Sequence, residues 1–474
     1  MKVLFVSAEV VPFSKTGGLA DVAYSLPRAL MQEDVEVRIM TSRNFHNKKV
    51  DVEEHHLLDT EVEVGWRKQY MGLSTAEFNE LQFYFIDNEF YFKREGIYGH
   101  FDDGERYSYF CRAVLEALNH IDFEPDIIHI NDWHTAMIPL LMKKHYSHID
   151  KFKDIKTVFT IHNLRYQGVF DPLILNELLN LDHNEFNSGA IEFHGNINFM
   201  KSGITFSDAV TTVSDTYANE IKEPYFGENL HGLIQDHEDK LHGILNGIDY
   251  DIYNPEIDPK ITQNYTFKNS SKKNINKAHL QSIMGLPKTK KPLIAMVSRL
   301  ADQKGLDLLE HIIEELLNLD LQLVVLGSGE AKYEDMFKHF SYHYENLAAS
   351  IGFNEELAHE IYAGADMLLM PSLFEPCGLS QLISQRYGTV PIVRETGGLR
   401  DTVQHYNKYT GEGTGFSFGS YNAHELLFAV KRSLELYDNK TEWRKLVKNI
   451  MQLETSWKQS ALKYKDLYKN LLGE

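Results

Sequence analysis

The run Val3-Leu4-Phe5-Val6-Ser7-Ala8-Glu9-Val10, followed by Ser14-Lys15-Thr16-Gly17-Gly18-Leu19-Ala20-Asp21, decides the fold. A short apolar segment gives way to a polar loop with two adjacent glycines and then to a helical pattern. That is the opening of a βα unit whose strand is covered on both faces. The same design returns in the second half. Leu293–Ser298 leads into Arg299-Leu300-Ala301-Asp302-Gln303-Lys304-Gly305, and Val390–Glu395 leads into Thr396-Gly397-Gly398-Leu399. Between these lie further short apolar runs: Val35–Met40, Leu81–Asp87, Asp126–Asn131, Thr157–His162 and Ala209–Val213 early, Leu321–Gly327 and Ala365–Pro371 late. Helical stretches of ten or more residues separate them, so each series predicts a parallel sheet.

Two such series predict an α/β protein of two doubly wound, Rossmann-like domains facing a central cleft. The expected spans are 1–240 and 241–456, with the break in the Gly-, Asn- and Pro-bearing stretch Leu241–Asn254. Asn264–Lys291, rich in Lys, Asn and Ser, reads as exposed. Trp457–Leu472 reads as an amphipathic helix with Trp457, Leu462, Tyr464, Leu467, Tyr468, Leu471 and Leu472 near one face. The chain has 474 residues, enough for two full cores.

Acidic residues number 68 and basic residues 48, a formal net charge of −20. So negative a surface argues against binding a phosphate backbone, and no nucleic-acid partner is expected. Two cysteines, Cys111 and Cys377, exclude a disulfide scaffold and fit a reducing compartment. The first apolar run is too short for a signal or membrane segment, so a cytoplasmic protein without membrane contact is expected.

In open α/β sheets ligands sit beyond the carboxyl ends of the strands. There the first half offers Lys15 beside Gly17 and Gly18, then His129-Ile130-Asn131-Asp132-Trp133-His134, and Thr160-Ile161-His162-Asn163. Neither G-x-G-x-x-G nor G-x-x-x-x-G-K-[ST] is present at the first loop. A metal is the competing reading of the histidines, but no HExxH or CxxC spacing supports one, and none is expected. The second half offers Arg299 and Lys304 in one loop and a second glycine loop at Gly327-Ser328-Gly329-Glu330. It also offers Glu375-Pro376-Cys377-Gly378 ahead of a helix opening at Leu379 and Ser380. Paired cations and helix N–H groups suit a diphosphate, and polar strand ends suit a hydroxyl-rich group. A sugar nucleotide satisfies both.

The same motifs resemble the bacterial glycogen synthase and plant starch synthase family. They are K-T-G-G-L-A-D-V at Lys15–Val22, H-x-x-D-W-H at His129–His134, I-H-N-L at Ile161–Leu164 and L-N-G-I-D at Leu245–Asp249. They continue with S-R-L-x-x-Q-K-G at Ser298–Gly305, P-S-x-F-E-P-C-G-L at Pro371–Leu379 and T-G-G-L-x-D-T-V at Thr396–Val403. The resemblance implies the glycosyltransferase B fold, with the last helix (457–474) crossing back to the first domain. It implies transfer of glucose from ADP-glucose to the non-reducing end of an α-1,4-glucan such as glycogen, with retention and with no cofactor or metal.

By resemblance, Lys15 and Gly18, with Asp21 nearby, meet the nucleotide phosphates, and Arg299 and Lys304 clamp the diphosphate with the N–H groups of Leu379 and Ser380. Phe353 stacks on adenine. Glu375 holds glucose hydroxyls, with Cys377 and Gly378 beside the sugar. His162 binds near C6, Asp132 lines the same pocket, and Asn163 and Asn246 form its edge. Tyr98, on a glycine-flanked loop, is the acceptor-stacking candidate, while nearby Phe101, Tyr107 and Tyr109 compete with a core role. A related clan carries a second Glu eight residues after the first; Ile383 stands there, favouring the glycogen/starch synthase branch. Another sugar-nucleotide transferase and a non-catalytic glucan-binding protein remain the alternatives.

Overall fold

A computed structural model describes residues 1–44, 50 and 52–474. The chain divides into two compact units, one of residues 1–246 with 457–474 and one of residues 247–456. The first division falls six residues beyond the expected 240/241 boundary. The reason is a strand, Leu241–Gly243, that pairs in parallel with Ala209–Thr212 and so belongs to the first sheet.

In chain order the strands of the first unit are β1 (Lys2–Val6), β2 (Glu36–Ser42), β3 (His55–Val64), β4 (Arg67–Phe78), β5 (Leu81–Asp87), β6 (Ile127–Asn131) and β7 (Lys156–Ile161). Three short strands follow, β8 (Val169–Phe170), β9 (Glu192–Phe193) and β10 (Asn196–Asn198), then β11 (Ala209–Thr212) and β12 (Leu241–Gly243). Nine of them form one sheet in the order β12-β11-β7-β6-β1-β2-β5-β4-β3, and β8, β10 and β9 form a small separate sheet. The sheet is parallel from β12 to β5, as predicted. Val3–Val6 and Ile127–Ile130 are fully buried, as apolar strands covered on both faces must be.

The sequence reading missed the antiparallel edge, β3 and β4, which pair from His55↔Thr75 to Val64↔Arg67. Along β3 the exposed charges Asp59, Glu61 and Glu63 alternate with less exposed residues, and the buried stretch of β4 is interrupted by Gly72 and Ser74, so no apolar run marks them. β1 also ends at Val6 rather than running through Val10, which leaves Glu9 in the loop that follows.

The second unit holds β13 (Leu293–Val297), β14 (Gln322–Gly327), β15 (Leu347–Ile351), β16 (Met367–Met370), β17 (Val390–Arg394) and β18 (Phe416–Phe418). All pairings are parallel, in the order β15-β14-β13-β16-β17-β18. Counted from its own first strand this is 3-2-1-4-5-6, the Rossmann order, with its reversal between β13 and β16.

Two long stretches bear on the sequence reading. Asn264–Lys291, expected to be exposed, contains the helix Lys273–Ile283, whose Lys273 and Lys277 are buried. Lys273 Nζ donates to the carbonyls of Tyr362 and Ala363, at 3.0 and 2.8 Å, and to Thr389 Oγ1 at 2.7 Å. It thus satisfies the carbonyl end of the helix Glu355–Gly364. Burial pushes its pKa down to about 7. Lys277 pairs with Asp366 at 2.6 Å.

The terminal helix, Lys458–Leu472, packs on Gly18–Met31 within the first unit. Ala461, Tyr464, Leu467 and Tyr468 are buried, and Trp457 just ahead of the helix joins them. Leu462, Leu471 and Leu472 are half-buried. Tyr468 reaches through to His129 Nδ1 at 2.6 Å, so the helix is keyed to the sheet by a polar contact as well as an apolar face.

Candidate active site

In the first unit β1 neighbours β2 on one side and β6 on the other, so the chain order reverses between β1 and β6. The loops after these two strands therefore splay apart and leave room for a ligand.

The loop after β1 is organised by Glu9. Its carboxylate is buried and accepts hydrogen bonds from the backbone N–H groups of Thr16 and Gly17. The anion expected on this glycine loop is thus partly supplied by the chain itself. Lys15 is paired with Asp21 at 2.6 Å, so a phosphate would have to compete for it. Gly17 precedes the helix that Gly18 opens, and a Cβ at Gly17 would meet nothing within 4 Å.

Burial raises Glu9 to about pH 7, against the two backbone N–H groups that lower it and with help from the charges of Asp21 and Asp132. A carboxyl raised in the folded state binds protons that the unfolded chain has released. It therefore costs stability as pH rises from its ordinary value of 4.5 to about 7. Glu9→Gln is expected to stabilise the protein at pH 8 more than at pH 5, by up to about 3 kcal/mol. Thermal midpoints of wild type and variant across that range check it; parallel profiles would refute it.

The loop after β6 starts with Asp132 at φ +55°, a strained position for a non-glycine residue and of a kind that clusters at functional sites. Its N–H donates to the Thr160 carbonyl at 2.9 Å, and its Oδ1 accepts from the His162 N–H at 2.8 Å. Asp132 was expected to line the sugar pocket; the structure turns that oxygen onto the backbone that carries His162. Burial raises Asp132 to about pH 7, while the N–H groups of His162 and Asn163 oppose the shift. His162 lies at the end of β7, and burial lowers its pKa to about 3, so the ring is neutral. Its Nε2 is 2.9 Å from Asn131 Oδ1. Asn163 is spent locally, its Oδ1 accepting from the Arg165 N–H at 3.1 Å. Asn246, the last residue before the second unit, is buried and its Oδ1 has no partner among the described residues.

Tyr98, the acceptor-stacking candidate, is half-buried. Its ring stacks on His134, with centroids 4.3 Å apart and planes 24° from parallel, so one face is taken by protein. Burial, with the charge of Glu9 next, pushes its pKa far up. Tyr107 and Tyr109 are core residues, and Phe101 is fully exposed.

In the second unit the loops after β13 and β16 flank the reversal. Lys304 Nζ lies 2.5 Å from Glu375 Oε2, and Ser372 Oγ donates to the same oxygen at 3.1 Å. Glu375 is 7% exposed, and these partners offset the cost of burying its carboxylate oxygen. The two loops are tied by Leu373 N–H to the Gln303 carbonyl at 2.9 Å and by Gln303 Nε2 to the Phe374 carbonyl at 3.3 Å. Arg394, at the end of β17, donates to the Leu373 carbonyl.

Arg299 is exposed, and its side chain makes no hydrogen bond or ion pair among the described residues. Lys304 and Arg299 thus do not act alike in the free protein: one is paired, the other open. Leu379 caps the helix Ser380–Arg386, and Tyr362 donates to Ser380 Oγ at 3.0 Å. Cys377 is buried and Gly378 takes φ +73° in the turn before them. Phe353 is 79% exposed just past β15, an open aromatic face.

The remaining glycines have packing reasons. A Cβ at Gly327 or Gly329 would strike the carbonyl of Ser298 or Leu300, and one at Gly397 or Gly398 would strike that of Glu375 or Cys377. The second glycine pair is therefore the seat of the Glu375 loop.

The sequence reading left Glu9, Asn131, His134 and Arg394 out of the site. Each stood within or next to a quoted motif, but burial and partner decide their parts and neither is visible in a string. Among the described residues no group of three His, Cys, Asp or Glu side chains could hold a metal ion, and no helix is long and apolar enough to cross a membrane.

Two Rossmann-like units with polar and cationic loops at the strand reversals define a glycosyltransferase of the B fold. A family model of the starch synthase catalytic domain matches residues 2–236, and one of group 1 glycosyl transferases matches 282–450. The chain is 52% identical to a glycogen synthase of Desulforamulus reducens, over 100% of this chain and 99% of the relative. It is equally similar to one of Clostridioides difficile, over 99% and 100%. The catalytic domain of starch synthase IV from Arabidopsis thaliana, solved bound to ADP and acarbose, superposes with a TM-score of 0.94. It is 33% identical over 100% of this chain and 99% of that one. A sucrose-phosphate synthase from Thermosynechococcus elongatus shares the fold at 16% identity and a TM-score of 0.64. The chain belongs to the glycogen synthase family, glycosyltransferases that elongate glucan.

Proposed function

We propose that the chain transfers glucose from ADP-glucose to the non-reducing end of an α-1,4-glucan, with retention and release of ADP. The observation that carries this reading is the Lys304–Glu375 pair at the strand reversal of the second unit. A half-buried cation beside a buried carboxylate offers two complementary handles. Lys304 takes a phosphate oxygen and draws off charge as the C1–O bond breaks, while Glu375 accepts from glucose hydroxyls. Arg299, unpaired in the free protein, is available to the same diphosphate, as are the N–H groups at Leu379 and Ser380. Phe353 offers a face to the base. In the first unit His162 takes a sugar hydroxyl, Asn246 offers an amide oxygen without a partner among the described residues, and Lys15 meets phosphate once released from Asp21.

The Arabidopsis relative's complex with ADP supports the choice of nucleotide. Transfer proceeds without a metal, since side-chain cations supply the positive charge. A cytoplasmic place accords with the bacterial relatives and with two buried free cysteines.

An ADP- and UDP-release assay with ADP-glucose, UDP-glucose and glycogen tests the reading. Release of ADP that depends on glycogen is expected, with UDP-glucose at least tenfold slower, and EDTA leaving the rate unchanged. Equal or faster use of UDP-glucose overturns the nucleotide assignment. Loss of activity with EDTA that a divalent ion restores overturns the metal-free one.

A further inference from the structure

Asn131, the last residue of β6, is fully buried and bridges two groups. Its Nδ2 lies 3.0 Å from the Val6 carbonyl at the end of β1, and its Oδ1 lies 2.9 Å from His162 Nε2. A carbonyl can only accept, so the amide nitrogen must face Val6. The opposite orientation would set two oxygens against each other in a buried place and leave both unsatisfied. The amide oxygen, which also can only accept, then faces His162. Nε2 must carry the proton.

We propose that Asn131 is a positioning residue that holds His162 as the Nε2-protonated imidazole and so presents Nδ1 as a bare hydrogen-bond acceptor to a sugar hydroxyl. A neutral ring has one N–H, and burial keeps this ring neutral. Nδ1 itself makes no hydrogen bond among the described residues. The backbone is fixed by a separate contact, Asp132 Oδ1 to the His162 N–H, so ring and main chain are set independently from adjacent residues of one strand end. His162 thereby requires a donor from its ligand: a hydroxyl fits, while a fluorine or an ether oxygen in its place does not.

This assignment of Nδ1 to a sugar rests on the proposed function; the tautomer does not. The nitrogen spectrum of uniformly ¹⁵N-histidine-labelled full-length protein, with His162 identified by its loss in His162→Gln, reads the tautomer directly. A single Nε2-protonated form is expected, and an Nδ1-protonated or doubly protonated ring at neutral pH overturns the proposal. Asn131→Leu removes the acceptor and is expected to give a mixed tautomer and about a tenfold lower kcat with little change in KM for the donor. A Leu variant with an unchanged spectrum and full activity also overturns it; should that variant fail to fold, the wild-type spectrum alone decides. Replacing the 6-hydroxyl of the donor by fluorine should cost at least tenfold in kcat/KM. If the tautomer is as stated but fluorine is tolerated, the sugar assignment fails and the positioning role stands.

Discussion

Lys304→Ala is expected to lower kcat/KM for glucosyl transfer by about 10²-fold or more, because one charge-assisted contact to a developing charge in a closed site contributes about 3 kcal/mol. The structure adds a second consequence. Glu375 Oε2 is 2.5 Å from Lys304 Nζ and only Ser372 would remain beside it. Removing the partner of a buried carboxylate strands its charge, at a cost on the order of 3 kcal/mol in stability. A loss of rate could then reflect a loosened loop rather than a lost phosphate contact. Because Glu375 itself serves the sugar, the double variant Lys304→Ala, Glu375→Gln, with Glu375→Gln alone as its activity reference, separates the two. It removes the stranded charge, so its thermal midpoint is expected to return towards wild type while activity stays low. Recovery of activity together with stability would show that Lys304 serves the loop and not the reaction.

His162→Ala is expected to reduce turnover by a similar factor, about 10²-fold, while ADP affinity changes less than about twofold. The neutral ring offers hydrogen bonds to a sugar hydroxyl rather than charge to a phosphate, and the deletion leaves every cation in place. The His162 N–H still donates to Asp132, so the alanine variant keeps its main chain. Turnover with ADP-glucose and glycogen, and ADP titration by calorimetry, give the two numbers. A large fall in ADP affinity would place His162 at the nucleotide instead. Unaltered turnover would remove it from the site and with it the sugar role proposed for Nδ1.

The failures of sequence reading have physical causes. The hairpin of β3 and β4 was unseen because exposed charges alternate along the edge strand β3 and because Gly72 and Ser74 break the buried stretch of β4. Lys273 looked exposed because lysine ordinarily is, and only the three oxygens gathered around it make its burial tolerable. For Tyr98, on its glycine-flanked loop, only the structure shows that His134 covers one face of the ring. The two Gly-Gly pairs read identically as strings. A Cβ at Gly17 in the first would meet nothing within 4 Å, whereas the second pair packs against the backbone of Glu375 and Cys377.

By itself the sequence determined two parallel sheets and the loops at their carboxyl ends, because strands buried on both faces must be apolar throughout and the chemistry must follow them. Only the tertiary structure decided who partners whom. Glu9 answers its own glycine loop, Asp132 braces a neighbour's backbone, Asn131 orients a histidine, and Lys304 waits on Glu375. Those pairings join residues 7 to 71 positions apart and depend on distances of a few ångströms, which no local pattern encodes.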